Sequence, residues 1–149
     1  MINIQKINKI MLDKLYSVGW TEIRHTDKPI KYIDQMIRDG YMFFDYAYEI
    51  INNLEGIAFK FSNDERIKYG IKHYYGDIEF SVEHYGYGLL FSPDSLKKEY
   101  SENVVPFGAI FGQVILMVGE SKKIYADIGT QGHDIVGTDI EDFLNRCAQ

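Results

Sequence analysis

The run Val114, Ile115, Leu116, Met117, Val118 limits what this chain can fold into more than any other feature. Five apolar residues are too few to cross a membrane. After a Gly/Glu/Ser/Lys turn they are followed by Ile124, Ala126 and Ile128 alternating with Tyr125 and Asp127. A short unbroken apolar run fits a strand covered on both faces, whereas alternation fits a strand with one face on the core and one in water. The two segments therefore predict neighbouring strands inside a sheet, the second half exposed to solvent. Such a hairpin requires helices to cover it.

The flanks supply them. Ile4, Ile7, Met11, Leu15 and Val18 recur at helical spacing and predict a first helix stopped by Gly19, with Trp20 behind it as a packing plug over the core edge. A second helix starts with Asp27 as N-cap and Pro29 in its first turn, carries Ile30, Ile33 and Ile37 on its inner face and ends near Gly40. A third runs from about Asp45, turns Ala47, Ile50, Ile51 and Leu54 inward, and stops at Gly56. Further on, a short strand over 89–91 precedes Ser92 and Pro93, which open a short helix reaching about Tyr100. Thr138 and Glu141 are placed as a capping box before a last helix with Ile140, Phe143, Leu144 and Cys147 on its apolar stripe. Helices come first and strands later, an order that predicts an α+β fold. The expected architecture is one domain over residues 1–149, a central, mostly antiparallel sheet with N-terminal helices, a short inserted helix and a C-terminal helix packed around it. A chain of 149 residues can bury a core of that kind without metal or disulfide staples.

Between the third helix and Ser92, two alternating runs over 66–85 flank Tyr75 and Gly76 and predict a hairpin. On one side Ile71 would face Phe80 and Tyr69 would face Val82. On the other Lys72 would face Glu79 and Lys68 would face Glu83, opposite charges that stabilise a strand pair by a few tenths to about 1 kcal/mol each. Asp77 at the tip, Tyr74 and Tyr75 beside it, and Tyr85 and Tyr87 at the far end are then left for a partner, since exposed tyrosines beside acids are common interface material.

Chemistry is thin by comparison. His25, His73, His84 and His133 have no metal-ligand spacing with a second histidine or with Cys147, the single cysteine. The pairs His73/Asp77 and His133/Asp134 lack a third partner for catalysis. No GxSxG, P-loop or GxGxxG occurs, and the Gly-rich segment 129–137 is read as a tight connection into the last helix ahead of an anion site. Metal, cofactor and catalytic residues are all expected to be none. Cys147 on the buried stripe is read as an inert core thiol in a reducing compartment. Lys6, Lys9, Asp13 and Lys14 interrupt the N-terminal apolar residues, which spoils a signal segment and points to a cytoplasmic protein with no membrane association. Sixteen basic against 22 acidic side chains leave a charge of −6, which argues against a nucleic-acid partner and suits either solubility or a basic protein partner.

Several marks occur together, in order, over nearly the whole chain. They are Gly19 and Trp20 with Arg24 just beyond, Gly40, the segment 46–57 with its stop at Gly56, the FSPD around Pro93, Pro106 to Gly108 ahead of the central strands, Ile124 and Tyr125, and Val136 with Gly137 before the closing helix. In these the chain resembles the SUKH superfamily of immunity proteins, specifically its third subgroup, related in fold to the Smi/Knr-like cell-wall regulators. It departs from that pattern at Ser92, where an acidic residue is usual, and in the GESKK turn.

The resemblance implies a bacterial immunity protein that binds and neutralises a cognate polymorphic toxin, commonly a nuclease or nucleic-acid deaminase, by blocking its active site. It implies no enzyme activity and a toxin domain as partner, the protein itself being a monomer or weak dimer. A non-catalytic regulatory module of the Smi/Knr-like type is the other reading. Candidate interface residues are Tyr74, Tyr75, Asp77, Glu79, Glu83, Tyr85 and Tyr87, with Asp45 and Glu49 on the third helix. They follow from charge and expected exposure, not from the family.

Overall fold

The computed structural model describes residues 2–73, 75–83 and 92–149. Among them, helices α1 (Lys9–Ser17), α2 (Ile30–Arg38) and α3 (Asp45–Leu54) precede β1 (Ala58–Phe59), α4 (Asn63–Tyr69), β2 (Ile78–Glu79) and α5 (Pro93–Tyr100). Then come β3 (Val104–Ile110), β4 (Val114–Gly119), β5 (Ile124–Asp127), β6 (His133–Gly137) and α6 (Ile140–Cys147). The six strands form one antiparallel sheet in sequence order, so the α+β class expected from the helix-then-strand order is the one observed. No helix among the described residues is long and apolar enough to cross a membrane.

The central apolar run is β4, with β3 and β5 on either side and Ile115, Leu116, Met117 and Val118 buried. Its partner β5 departs from expectation, because Tyr125 and Asp127 are buried rather than facing water. Their polar atoms have found protein partners. The Tyr100 hydroxyl of α5 donates to Asp127 Oδ2 at 2.5 Å, and the Tyr125 hydroxyl donates to Glu102 Oε2 at 2.5 Å. The Tyr100 and Tyr125 rings meet edge to face at 4.8 Å. In a polar face satisfied in this way, hydrogen bonds offset the cost of desolvation.

Two further strands replace expected connections. Pro106, Phe107 and Gly108 lie within β3, not ahead of the sheet, and the register slips between Pro106 and Gly108. Proline lacks the N–H a ladder position needs, and an irregularity absorbs that loss. Gly108 is also where β3 closes on β2, since a Cβ there would stand 2.7 Å from the Glu79 carbonyl oxygen. The Gly-rich segment, expected as a connection into α6, forms a short 3₁₀ turn and then β6, paired with β5.

The hairpin expected over 66–85 is not formed. Residues Asn63–Tyr69 are helical instead, opened by a capping box in which Glu65 N–H donates to Ser62 Oγ and Ser62 N–H donates to Glu65 Oε1. Gly70, at φ +65, closes the helix in the left-handed conformation. Lys68 and Tyr69 are thus helical, and the pairings with Glu83 and Val82 do not exist. Glu79 sits opposite Ala58 and Ala109 rather than Lys72.

Helix ends shift more modestly. Asn8 caps α1 through Met11 N–H, so Ile4 falls in a separate 3₁₀ turn and Val18 lies beyond the last turn, exposed. In α2 the buried residues are Ile33 and Met36, while Ile30 and Ile37 are exposed and no side chain caps the start. α3 and α5 match their expected starts, and at the start of α5 the Ser95 N–H donates to Ser92 Oγ. α6 is capped by Asp139, one residue after the expected Thr138, and Glu141 instead accepts the Asn3 N–H at 2.8 Å. Its stripe is buried as expected, and burial pushes the Cys147 thiol upward, away from thiolate formation. The strand expected over 89–91 lies outside the described residues.

Candidate protein-binding surface

Of the residues proposed for an interface, Tyr74, Tyr85 and Tyr87 lie outside the described residues. Tyr75 is half-buried and lines a surface hollow with His73, Asp142 and Arg146. Its ring stacks on Phe143 of α6 at 5.9 Å, and burial raises its hydroxyl pKa. Asp77, Glu79 and Glu83 are exposed, Glu79 within β2 and the other two on either side of it. The Asp77 carbonyl accepts the Phe111 N–H at 2.8 Å. Phe111 is the neighbour that sequence reasoning missed. It is 57% exposed at the β3–β4 turn, has φ +54, and lies so close over Gly76 that a Cβ there would come within 1.9 Å of its ring. The FG pair between two apolar runs was the available signal for that turn.

Asp45 and Glu49 have more structure around them. They share the outer face of α3 with Tyr48 and Asn52, at i, i+3, i+4 and i+7 positions, while Ala47, Ile50, Ile51 and Leu54 hold the opposite face in the core. Against this face lies the segment 20–26 that carries the Gly19, Trp20 and Arg24 marks. Trp20 is fully buried, its indole N–H donating to Asn53 Oδ1 at 2.8 Å. The Asn53 amide then donates to the carbonyls of Glu22 at 3.4 Å and Arg24 at 3.0 Å. Arg24 returns a bond to the Asn53 carbonyl at 3.3 Å, and Thr26 N–H donates to the Asn52 carbonyl at 3.1 Å. A Cβ at Gly56 would stand 3.4 Å from the Arg24 guanidinium, so that residue leaves room for the arginine.

The result is a short loop clamped to α3 at five points, bounding a surface hollow of about 270 Å³ lined by Glu22, Ile23, Arg24, His25, Glu49, Asn52 and Asn53. Ile23 stands at its edge 83% exposed. Glu22 accepts from the Tyr16 hydroxyl at 3.2 Å, and His25 faces Asp27 at 3.1 Å. An exposed apolar side chain on a fixed backbone, beside the carboxylates of Glu22 and Glu49 and the Arg24 guanidinium, is suited to holding another protein's surface. Sequence reasoning read Trp20 correctly as a core plug and missed that the plug carries this loop.

The remaining marks are structural in their placement. Gly19, Gly40 and Gly56 follow the ends of α1, α2 and α3, Pro93 is the first residue of α5, and Gly137 ends β6 against Phe143. Neither histidine pair considered from sequence is brought together. His133 faces Glu99 at 3.2 Å and stacks on the Tyr100 ring at 3.9 Å, and His73 borders a hollow with Asp142 and Arg146 that Asp77 does not line. Among the described residues, no group of three potential metal ligands converges. In comparisons with known proteins the chain matches no family model, no curated protein and no solved structure.

Proposed function

We propose that this protein is an immunity protein that neutralises a toxin by binding it, using the outer face of α3 together with the clamped loop 20–26. The single observation that carries this reading is Ile23, 83% exposed at a hollow that Glu22 and Glu49 also line, on a backbone anchored by buried Asn53. Pre-ordering such a loop removes part of the entropy cost of association. Its acidic surroundings and the chain's −6 charge favour a partner with a basic cleft, as enzymes that act on nucleic acid have. The likeness to SUKH immunity proteins supports the same reading.

The test is calorimetric titration of the protein with the toxin domain encoded beside it, at low and at moderate salt. Nanomolar binding that weakens as salt rises is the expected result. Absence of binding at both salts overturns the toxin reading in favour of the Smi/Knr-like regulatory module, which shares the fold and needs a different partner.

A further inference from the structure

The sheet ends differently on its two sides. β1 is two residues long and offers an incoming strand almost nothing to pair with, which is a common protection of sheet edges. β6 is five residues long, has β5 as its one neighbour among the described residues and contains neither lysine nor proline.

The ladder shows which of its backbone groups are free. Gly119 N–H donates to the Lys123 carbonyl, and Ile128 N–H donates to the Gly132 carbonyl. Antiparallel ladders alternate, so Tyr125 and Asp127 bond to β4, Ala126 and Asp134 bond to each other, and the N–H and C=O groups of His133 and Ile135 point away from β5. Among the described residues, no backbone bond outside the sheet uses those groups. Ile135 is also 51% exposed, and Asp134 beside it is exposed.

A second copy of β6 fits this edge poorly. Pairing both free residues with a copy places the two-fold axis at Asp134 and sets that carboxylate directly against itself, a destabilising opposition. Moving the axis to Ile135 brings Gly137 opposite His133. Beyond the register shift, however, Gly137 is paired with Ile124 and turns its backbone inward.

We propose that β6 is extended by a strand of the protein partner, with a Lys or Arg opposite Asp134. This rests on the protein-binding function proposed above and locates a second part of the same interface. Backbone bonds to His133 and Ile135 hold the strand, and Asp134 selects its charge. The chain just past β6 is tied to α3, because Ile140 N–H donates to the Tyr46 hydroxyl at 3.0 Å.

The experiment uses the toxin domain encoded beside the protein as probe. On complex formation, amide exchange at His133 and Ile135 is expected to slow, by about tenfold or more. Ile135→Pro removes an outward N–H that β5 does not use, and Asp134→Lys reverses the selecting charge. Each is expected to weaken binding by about tenfold or more. Exchange on the unaltered protein decides the matter even if Ile135→Pro disturbs folding. Full-strength binding with both amides unprotected overturns the β6 site and leaves the protein-binding function standing. A complete lack of binding by the unaltered protein overturns both. If the free protein sediments as a dimer with these amides already protected, the occupant is a second copy and the proposal fails.

Discussion

The Trp20 indole N–H and the Asn53 Oδ1 atom meet at 2.8 Å in a buried setting, and the same Asn53 amide holds the carbonyls of Glu22 and Arg24. One side chain therefore ties the core to the candidate binding loop. Asn53→Leu strands a buried indole N–H and releases two loop carbonyls, for an expected loss of about 2–3 kcal/mol in urea unfolding. Unchanged stability would show that the loop is not clamped through Asn53.

Ile23 gives the opposite expectation. Because its side chain is largely in water, Ile23→Asp should leave stability within about 0.5 kcal/mol of the unaltered protein. Toxin affinity should fall by about 1–2 kcal/mol, read by titration calorimetry. An unaltered affinity would move the interface off this loop.

The capping box of α4 is testable alone. Ser62→Ala removes the acceptor of the Glu65 N–H and should cost about 1 kcal/mol in chemical denaturation. Glu65 also pairs with Lys14 of α1 at 2.7 Å, which with the Ser62 backbone bond holds its carboxyl below the usual value. A loss near zero would mean that this α1 contact, not the cap, holds the helix.

Gly108→Ala would push a methyl to 2.7 Å from the Glu79 carbonyl oxygen, a backbone atom that cannot step aside alone. The expected loss is about 1–3 kcal/mol, with β2 amides exchanging faster than those of β4. Equal acceleration in both strands would locate the strain elsewhere.

Glu102 sets a pH dependence. Burial opposes its charge, but bonds from the Tyr125 hydroxyl and from Ser121 outweigh that and hold its carboxyl below the ordinary 4.5. A lowered folded-state pKa adds stability above pH 4.5 that is lost as pH falls through the folded value. Tyr125 shows the reverse. Burial, then Glu102, push its hydroxyl up to about 12, so its contribution is complete below pH 10 and disappears as pH approaches 12. Thermal melts of Glu102→Gln should show a deficit at neutral pH that shrinks as pH falls below 4.5 and through the folded-state value. A deficit that stays constant with pH would assign Glu102 a packing role instead.

Sequence alone determined those elements whose signals are local. The apolar run of β4, the span of α3, and Ser92 with Pro93 at the start of α5 are each specified by neighbours within one or two turns, through periodicity and capping. The same kind of signal misled over 66–85, where the alternation of Lys68, Tyr69 and Ile71 imitates a strand. There the capping box begins upstream at Ser62, and Gly70 stops a helix in the middle of the apparent pattern. Tertiary structure alone decided that the polar side of β5 is buried, because its partners Tyr100 and Glu102 lie 27 and 23 residues away in the chain. It likewise decided that Asn53, an unremarked polar residue on a helix, joins Trp20 to the loop bearing Ile23. A polar side chain tolerates burial only where distant groups complete its hydrogen bonds, and which groups those are is settled when the elements pack.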